Sequence, residues 1–247
     1  MKYQEIKSAN EILSNFIKCF WYSKTLESIE NTILPNGYID LIFSVKDEKL
    51  EKIKITGIWS EPIVIKSKEN TIVFGVRFKP LIADVLREID FKSILNSFQP
   101  FSDNLINING CSFENLESFS VQFEEVILKL IASRKPVQES KLLLFNEIFK
   151  REIFNVTEIS KKVFWSSRQI NRYFNSTFGI SLKTYLKIIR CNEAYRDIAN
   201  NKLTPQVTYF DQPHFIKEIK EFTGYPPREL SKNKNDRFLQ LTTLKQL

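Results

Sequence analysis

Residues 166–185 read SSRQINRYFNSTFGISLKTY, and residues 211–230 read DQPHFIKEIKEFTGYPPREL. The two stretches echo each other at a spacing of 45. Ile170, Phe174 and Gly179 recur as Phe215, Ile219 and Gly224, and Ile180-Ser181 and Tyr185 recur as Tyr225-Pro226 and Leu230. Each copy sets apolar residues four apart, which lines one side of an α-helix. Each opens on a residue whose side chain can cap a helix, Ser166 or Asp211. Each closes on a glycine, which takes the left-handed conformation at a helix end without a Cβ to clash. Ahead of the copies stand the apolar pairs Ile159/Val163 and Leu203/Val207. A short helix, a tight turn and a second helix make a helix-turn-helix. A helix over about 182–199, with Leu182, Tyr185, Leu186, Ile189, Ala194 and Ile198 inward, joins the two.

With Ile170 and Phe174 turned in, Ser167, Arg168, Asn171 and Arg172 turn out. The last three fall at i, i+3 and i+4, one ridge that fits a major groove. Arg can bond guanine O6 and N7, and Asn can bond adenine N6 and N7. In the second copy the outward set is Gln212, Pro213, Ile216 and Lys217, of which Gln212 and Lys217 can meet DNA. His214 falls in the first turn of that helix and reads as a packing or phosphate-side residue.

Residues 156–230 resemble the double helix-turn-helix domain of AraC/XylS transcription regulators. The resemblance rests on Ser166-Ser167-Arg168-Gln169-Ile170-Asn171-Arg172-Tyr173-Phe174, Phe178-Gly179-Ile180-Ser181, Tyr185, Arg190, Tyr209 to Lys217 and Phe222 to Pro227. The N-terminal part resembles, more weakly, a sensor-type domain found ahead of that reader. There the residues are Phe20-Trp21, Ile33 to Gly37 with Asp40-Leu41-Ile42, and Phe74 to Pro80. This sequence departs from the family pattern in three ways. The turn glycines are replaced by Phe164 and Thr208, which predicts turns of another geometry. The segment from Arg190 to Tyr209 is short by about four residues, roughly one helical turn. Pro205 at the first position of a helix capped by Thr204 then leaves a supporting helix of about one turn.

Working outward, the first ~110 residues alternate as strands do. The segments are Tyr38 to Phe43 after the turn former Pro35-Asn36-Gly37, Ile53 to Trp59, Ile63 to Ile65, and Thr71 to Phe78. In the last, Ile72, Phe74, Val76 and Phe78 share a face opposite Arg77. Apolar spacing predicts amphipathic helices over 10–22 and 81–96, and longer ones over 113–131 and 138–151, broken at Ser133-Arg134-Lys135-Pro136. The fold expected is an α+β N-terminal domain rich in antiparallel strands, followed by an all-α double helix-turn-helix domain. The divisions are 1–110 (sensor or assembly domain), 111–151 (connecting helices), 152–232 (DNA-binding domain) and 233–247 (tail).

Charge divides the chain in the same place. Residues 150–247 hold 18 Lys and Arg against 9 Asp and Glu, whereas residues 1–149 hold 18 against 20. A basic module joined to a near-neutral one is the footprint of a nucleic-acid reader. One histidine, six glycines and three scattered cysteines leave no His-cluster metal site, no phosphate-binding glycine loop and no disulfide framework. Asp40, Asp84 and Glu88 read as surface acids, not as a catalytic pair. No catalytic residue, metal ligand or cofactor is expected, and the protein reads as a non-enzyme. The charged N-terminus lacks a signal peptide, and no apolar run reaches the ~20 residues that span a bilayer, so a cytoplasmic protein is expected.

The expected partner is double-stranded DNA, with RNA polymerase a further candidate. The many Phe, Ile and Trp residues of the N-terminal domain fill a solid core or line a pocket for a small-molecule effector, the solid core being the plainer reading. The function expected is sequence-specific transcription regulation, read mainly by the first motif. The alternative is a protein with a degenerate second motif, acting through protein–protein contacts or weak non-specific DNA binding.

Overall fold

Strands fill the first hundred residues of the structure, a computed structural model that describes residues 1–150, 155–204 and 209–245. They are β1 (Lys2–Ile6), β2 (Ile17–Lys24), β3 (Ile29–Ile33), β4 (Ile39–Lys46), β5 (Lys49–Thr56), β6 (Ile63–Ser67), β7 (Ile72–Phe78) and β8 (Phe98–Pro100). Six of them form one sheet in the order β1-β2-β7-β4-β5-β8, antiparallel throughout, and β3 pairs with β6 as a separate ribbon. Alternation along β4 and β7 gives the sheet two different faces.

One face is solid. Ile39, Leu41, Phe43 and Val45 of β4 and Phe74, Val76 and Phe78 of β7 are buried there. The helix α1 (Leu116–Ser133) lies across it. Its Phe119 ring meets Phe43 and Phe74 at centroid distances of 5.3 Å each, and Phe123 meets Phe20 at 6.3 Å. Such edge-on and tilted contacts add to plain area burial. The first connecting helix is thus part of the N-terminal core. The second, α2 (Glu139–Lys150), buries Leu144, Phe145 and Ile148 and stacks Phe149 on Tyr38.

Two predicted helices are corrected. Residues 10–22 form only a 3-10 turn at Leu13–Asn15 before entering β2. As an inner strand β2 is covered on both faces, with Ile17, Cys19 and Phe20 all buried, so its apolar residues do not alternate and imitate helical spacing. Residues 81–96 form a 3-10 turn, Pro80–Asp84, followed by further turns. There Leu81, Ile82, Val85, Leu86, Phe91 and Ile94 are buried on all sides. Embedding, not one-sided amphipathicity, produced the pattern.

The C-terminal region is helical: α3 (Val156–Lys162), α4 (Ser167–Phe178), α5 (Leu182–Ala199), α6 (Gln212–Thr223), α7 (Pro227–Lys232) and α8 (Leu239–Leu244). It sits directly on the N-terminal domain. Tyr185 and Tyr195 of α5 donate to the carbonyls of Gly37 and Pro35, both at 3.0 Å. The stretch that reads as a tail packs against β3. Thr32 N–H donates to the Arg237 carbonyl at 2.6 Å, and the Gln240 amide bonds both N–H and C=O of Leu34 at 2.8 Å. No helix among the described residues is long and apolar enough to cross a membrane. The expected one-turn helix after Pro205, with Val207 and Thr208, lies outside the described residues.

Candidate nucleic-acid interface

The helix α4 is built as its sequence suggests. Ser166 Oγ accepts from Gln169 N–H at 3.3 Å, and the Gln169 side chain accepts from Ser166 N–H at 3.0 Å, a reciprocal capping box. At the far end Gly179 takes φ +75°, and its counterpart Gly224 takes φ +78° after α6. Between the caps, Ile170, Phe174 and Phe178 are buried. Phe164 corrects the expected turn. It adopts the left-handed conformation itself, φ +52°, the geometry a glycine would supply. The residue is 92% exposed, so no packing dictates another path for the backbone, which carries a strain of roughly 1–2 kcal/mol.

On the outer side of α4, Arg168 and Arg172 are exposed, one turn apart, and no acid pairs with either among the described residues. Ser167 is half-buried beside them. Asn171 is placed differently. Its Nδ2 donates to the Ser167 carbonyl at 3.0 Å and its Oδ1 accepts from Leu182 N–H at 3.2 Å. The Oδ1 end ties α4 to the start of α5, the Nδ2 end bonds back within α4, and a base contact would cost those bonds. In α6, Lys217 is exposed, while Gln212 Nε2 donates to the Leu203 carbonyl at 2.7 Å.

Inward polar groups fix how each helix is held. Tyr173 of α4 donates to Asp84 Oδ2 at 2.7 Å, and Lys141 of α2 pairs with Asp84 Oδ1. Burial first, then the Asp84 carboxylate, keeps the Tyr173 phenol far above its ordinary pKa, so it stays a neutral donor. Glu218 of α6, 2% exposed, receives Arg190 Nε at 2.6 Å and a second guanidinium nitrogen at 2.5 Å. His214 sits one turn before Glu218, with Nε2 3.6 Å from its carboxylate and its ring edge-on to Tyr209. Sequence reasoning missed the roles of Tyr173 and Glu218, whose partners lie 89 and 28 residues away, and it misread Asp84 and Asp40 as surface acids: both are largely buried, paired with Lys141 and with Arg77 from distant parts of the chain. Burial pushes the Cys191 thiol up to about 12 and Cys111 to about 11, so both stay protonated.

The sheet's other face encloses a cavity of about 420 Å³, walled by β3, β6 and the start of α8. Trp21, Ile42, Trp59 and Val73 give it an apolar lining. Gly75 makes room for the Trp21 indole, since a Cβ there would stand 2.1 Å from it. At the cavity floor Arg77 Nε and Trp21 Nε1 donate to Asp40 Oδ1 at 2.9 and 3.2 Å. Burial works against the Arg77 charge, but Asp40 outweighs it and holds the guanidinium well above its ordinary pKa. The domain therefore holds both arrangements weighed from sequence, a solid core on one face and a lined cavity on the other.

A family model described as a helix-turn-helix domain matches residues 159–233, and one described as a domain of unknown function (DUF6597) matches residues 6–99. No curated protein matches the chain. Among solved structures, the chain is similar to the crystal structure of ToxT from Vibrio cholerae O395, at 12% identity and a TM-score of 0.44 over 93% of this chain and 97% of that one. A 1.65 Å structure of ToxT from Vibrio cholerae gives 11% and 0.43, over 94% and 98%. ToxT bound to (E)-4-(8-methylnaphthalen-1-yl)but-3-enoic acid gives 12% and 0.41, over 98% and 100%.

Proposed function

We propose that this chain, whose residues 159–233 are an AraC-type helix-turn-helix domain, is a transcription regulator that binds specific duplex DNA mainly through α4. The carrying observation is the Arg168/Arg172 pair: two exposed guanidinium groups one turn apart, unpaired by acids among the described residues, on a helix capped at both ends. That arrangement suits bidentate bonding to guanine edges in the major groove. Ser167 sits where it can meet a phosphate. Asn171 joins the readout only by exchanging its internal bonds for an adenine. The second motif contributes through Lys217 to phosphate and through Gln212 where its amide is released. With Pro213 and Ile216 also outward, its share of the specificity is small.

The cavity over Asp40 and Arg77 is the seat proposed for a small-molecule effector, one with an apolar body and a polar group turned to that pair. RNA polymerase is the partner a regulator bound at a promoter would meet.

Selection of binding sites by the full-length chain from a random duplex pool tests the reading, followed by anisotropy on the enriched sequence. A preferred sequence should emerge, and Arg168→Ala or Arg172→Ala should relax the preference. Absence of any enriched sequence, with no binding to the starting pool, rejects it.

A further inference from the structure

Beyond the two recognition helices, a hollow of about 400 Å³ opens where α7 meets the C-terminal segment. Four cations line it, Arg228 and Lys232 from α7 and Lys234 and Arg237 from beyond it, against one acid, Glu229. None of the four forms an ion pair with an acid among the described residues. Gathering like charges is unfavourable unless an anion joins them. One of the four is fixed by structure. The Arg237 guanidinium lies over the Tyr225 ring at 4.7 Å and the Phe238 ring at 5.4 Å, and it donates to the Tyr225 hydroxyl. Its backbone carbonyl is held by Thr32 N–H of β3. A cation so placed loses little freedom on meeting an anion.

The internal repeat places these cations in the helix-turn-helix plan. At the spacing of 45, Arg228 and Lys232 are the counterparts of Lys183 and Lys187. Both copies thus set two cations one turn apart on the helix that follows a recognition helix; in the first, Lys187 pairs with Glu221 at 3.2 Å, whereas in the second neither pairs with an acid among the described residues. That helix begins just past the left-handed glycine, at the flank of the reader, where a duplex lying along α6 would bring its backbone.

We infer that this hollow binds phosphates of the DNA backbone beside the second motif, with Lys234 and Arg237 extending the grip past the helix-turn-helix domain. The inference rests on the DNA-binding reading above. It makes the second motif a backbone clamp while the first reads sequence.

Salt titration of DNA binding by the full-length chain tests it, using the enriched duplex and a scrambled one. Each lost phosphate contact flattens the slope of log Kobs against log salt by about 0.9. The pair Arg228→Gln/Lys234→Gln should flatten it by about two, with the same fold loss on both duplexes. Lys232→Gln alone should flatten it by about one, and serves if the pair folds poorly. Lys49→Gln/Lys52→Gln, exposed on β5 at the far sheet, should leave the slope unchanged. An unchanged slope in both hollow variants overturns the inference and leaves the DNA reading standing. So does equal flattening in the β5 pair, or a loss confined to the enriched duplex. A wild-type chain that binds neither duplex overturns both.

Discussion

Tyr173 on α4 and Glu218 on α6 stand 45 residues apart, at the same place in two copies of one plan. Each is the polar group its helix turns inward, yet they are tied to different bodies. Tyr173 reaches across to Asp84 of the N-terminal domain, whereas Glu218 is clasped by Arg190 of the joining helix α5. A movement around Asp84 would therefore be felt first by the helix that carries Arg168 and Arg172. The second helix has no such direct tie through this residue: it is linked to the N-terminal domain through α5, whose Tyr185 and Tyr195 bond to Gly37 and Pro35. Repetition of a scaffold does not repeat its mechanics: the residue at this inward position gives each helix a different polar partner.

The comparison can be broken at its strongest point. Glu218→Ala leaves the Arg190 charge half-buried without its carboxylate and should cost about 3–5 kcal/mol, read from urea unfolding. A loss under about 1 kcal/mol would show that α6 does not depend on that clasp. Next in size, Tyr173→Phe removes one hydrogen bond to a carboxylate across the domains and should lower stability by about 1.5–3 kcal/mol. If thermal melts do not move, the tether between α4 and Asp84 contributes nothing measurable. Arg172→Ala should lose about 1–3 kcal/mol of binding to the preferred duplex and little to a scrambled one, measured by anisotropy. Equal losses on both would demote α4 to a backbone contact. The smallest effect belongs to Lys217→Ala, a salt slope flatter by about one with no change in sequence preference.

Much of this fold is legible in the sequence, and the illegible parts share a cause. The caps Ser166 and Asp211, the terminal glycines and the inward Ile170, Phe174, Phe215 and Ile219 follow from local chemistry, and the structure keeps them all. The faces of β4 and β7 follow from alternation. The inner strand β2 and the turns after Pro80 do not, because both are surrounded, and a surrounded segment has no polar face to mark its period. At the interface, Arg168 and Arg172 are legible as outward. That Asn171 is occupied is not, since its partner is a backbone N–H 11 residues on. Phe164 misleads for another reason: its backbone strain is tolerated where the ring has nothing to fit.

The closure of β3 by residues more than 200 positions later has a consequence for synthesis. A ribosome delivers the N-terminal domain first. Until residues 237–240 emerge, the backbone groups of Thr32 and Leu34 face an open edge, and the cavity lacks a wall. A chain truncated near residue 233 would still carry both recognition helices, but with an exposed strand border of the kind that recruits other strands. Completion of the first domain thereby waits on residues 236–240: a nascent chain closes β3 only after the segments of α4 and α6 have been made.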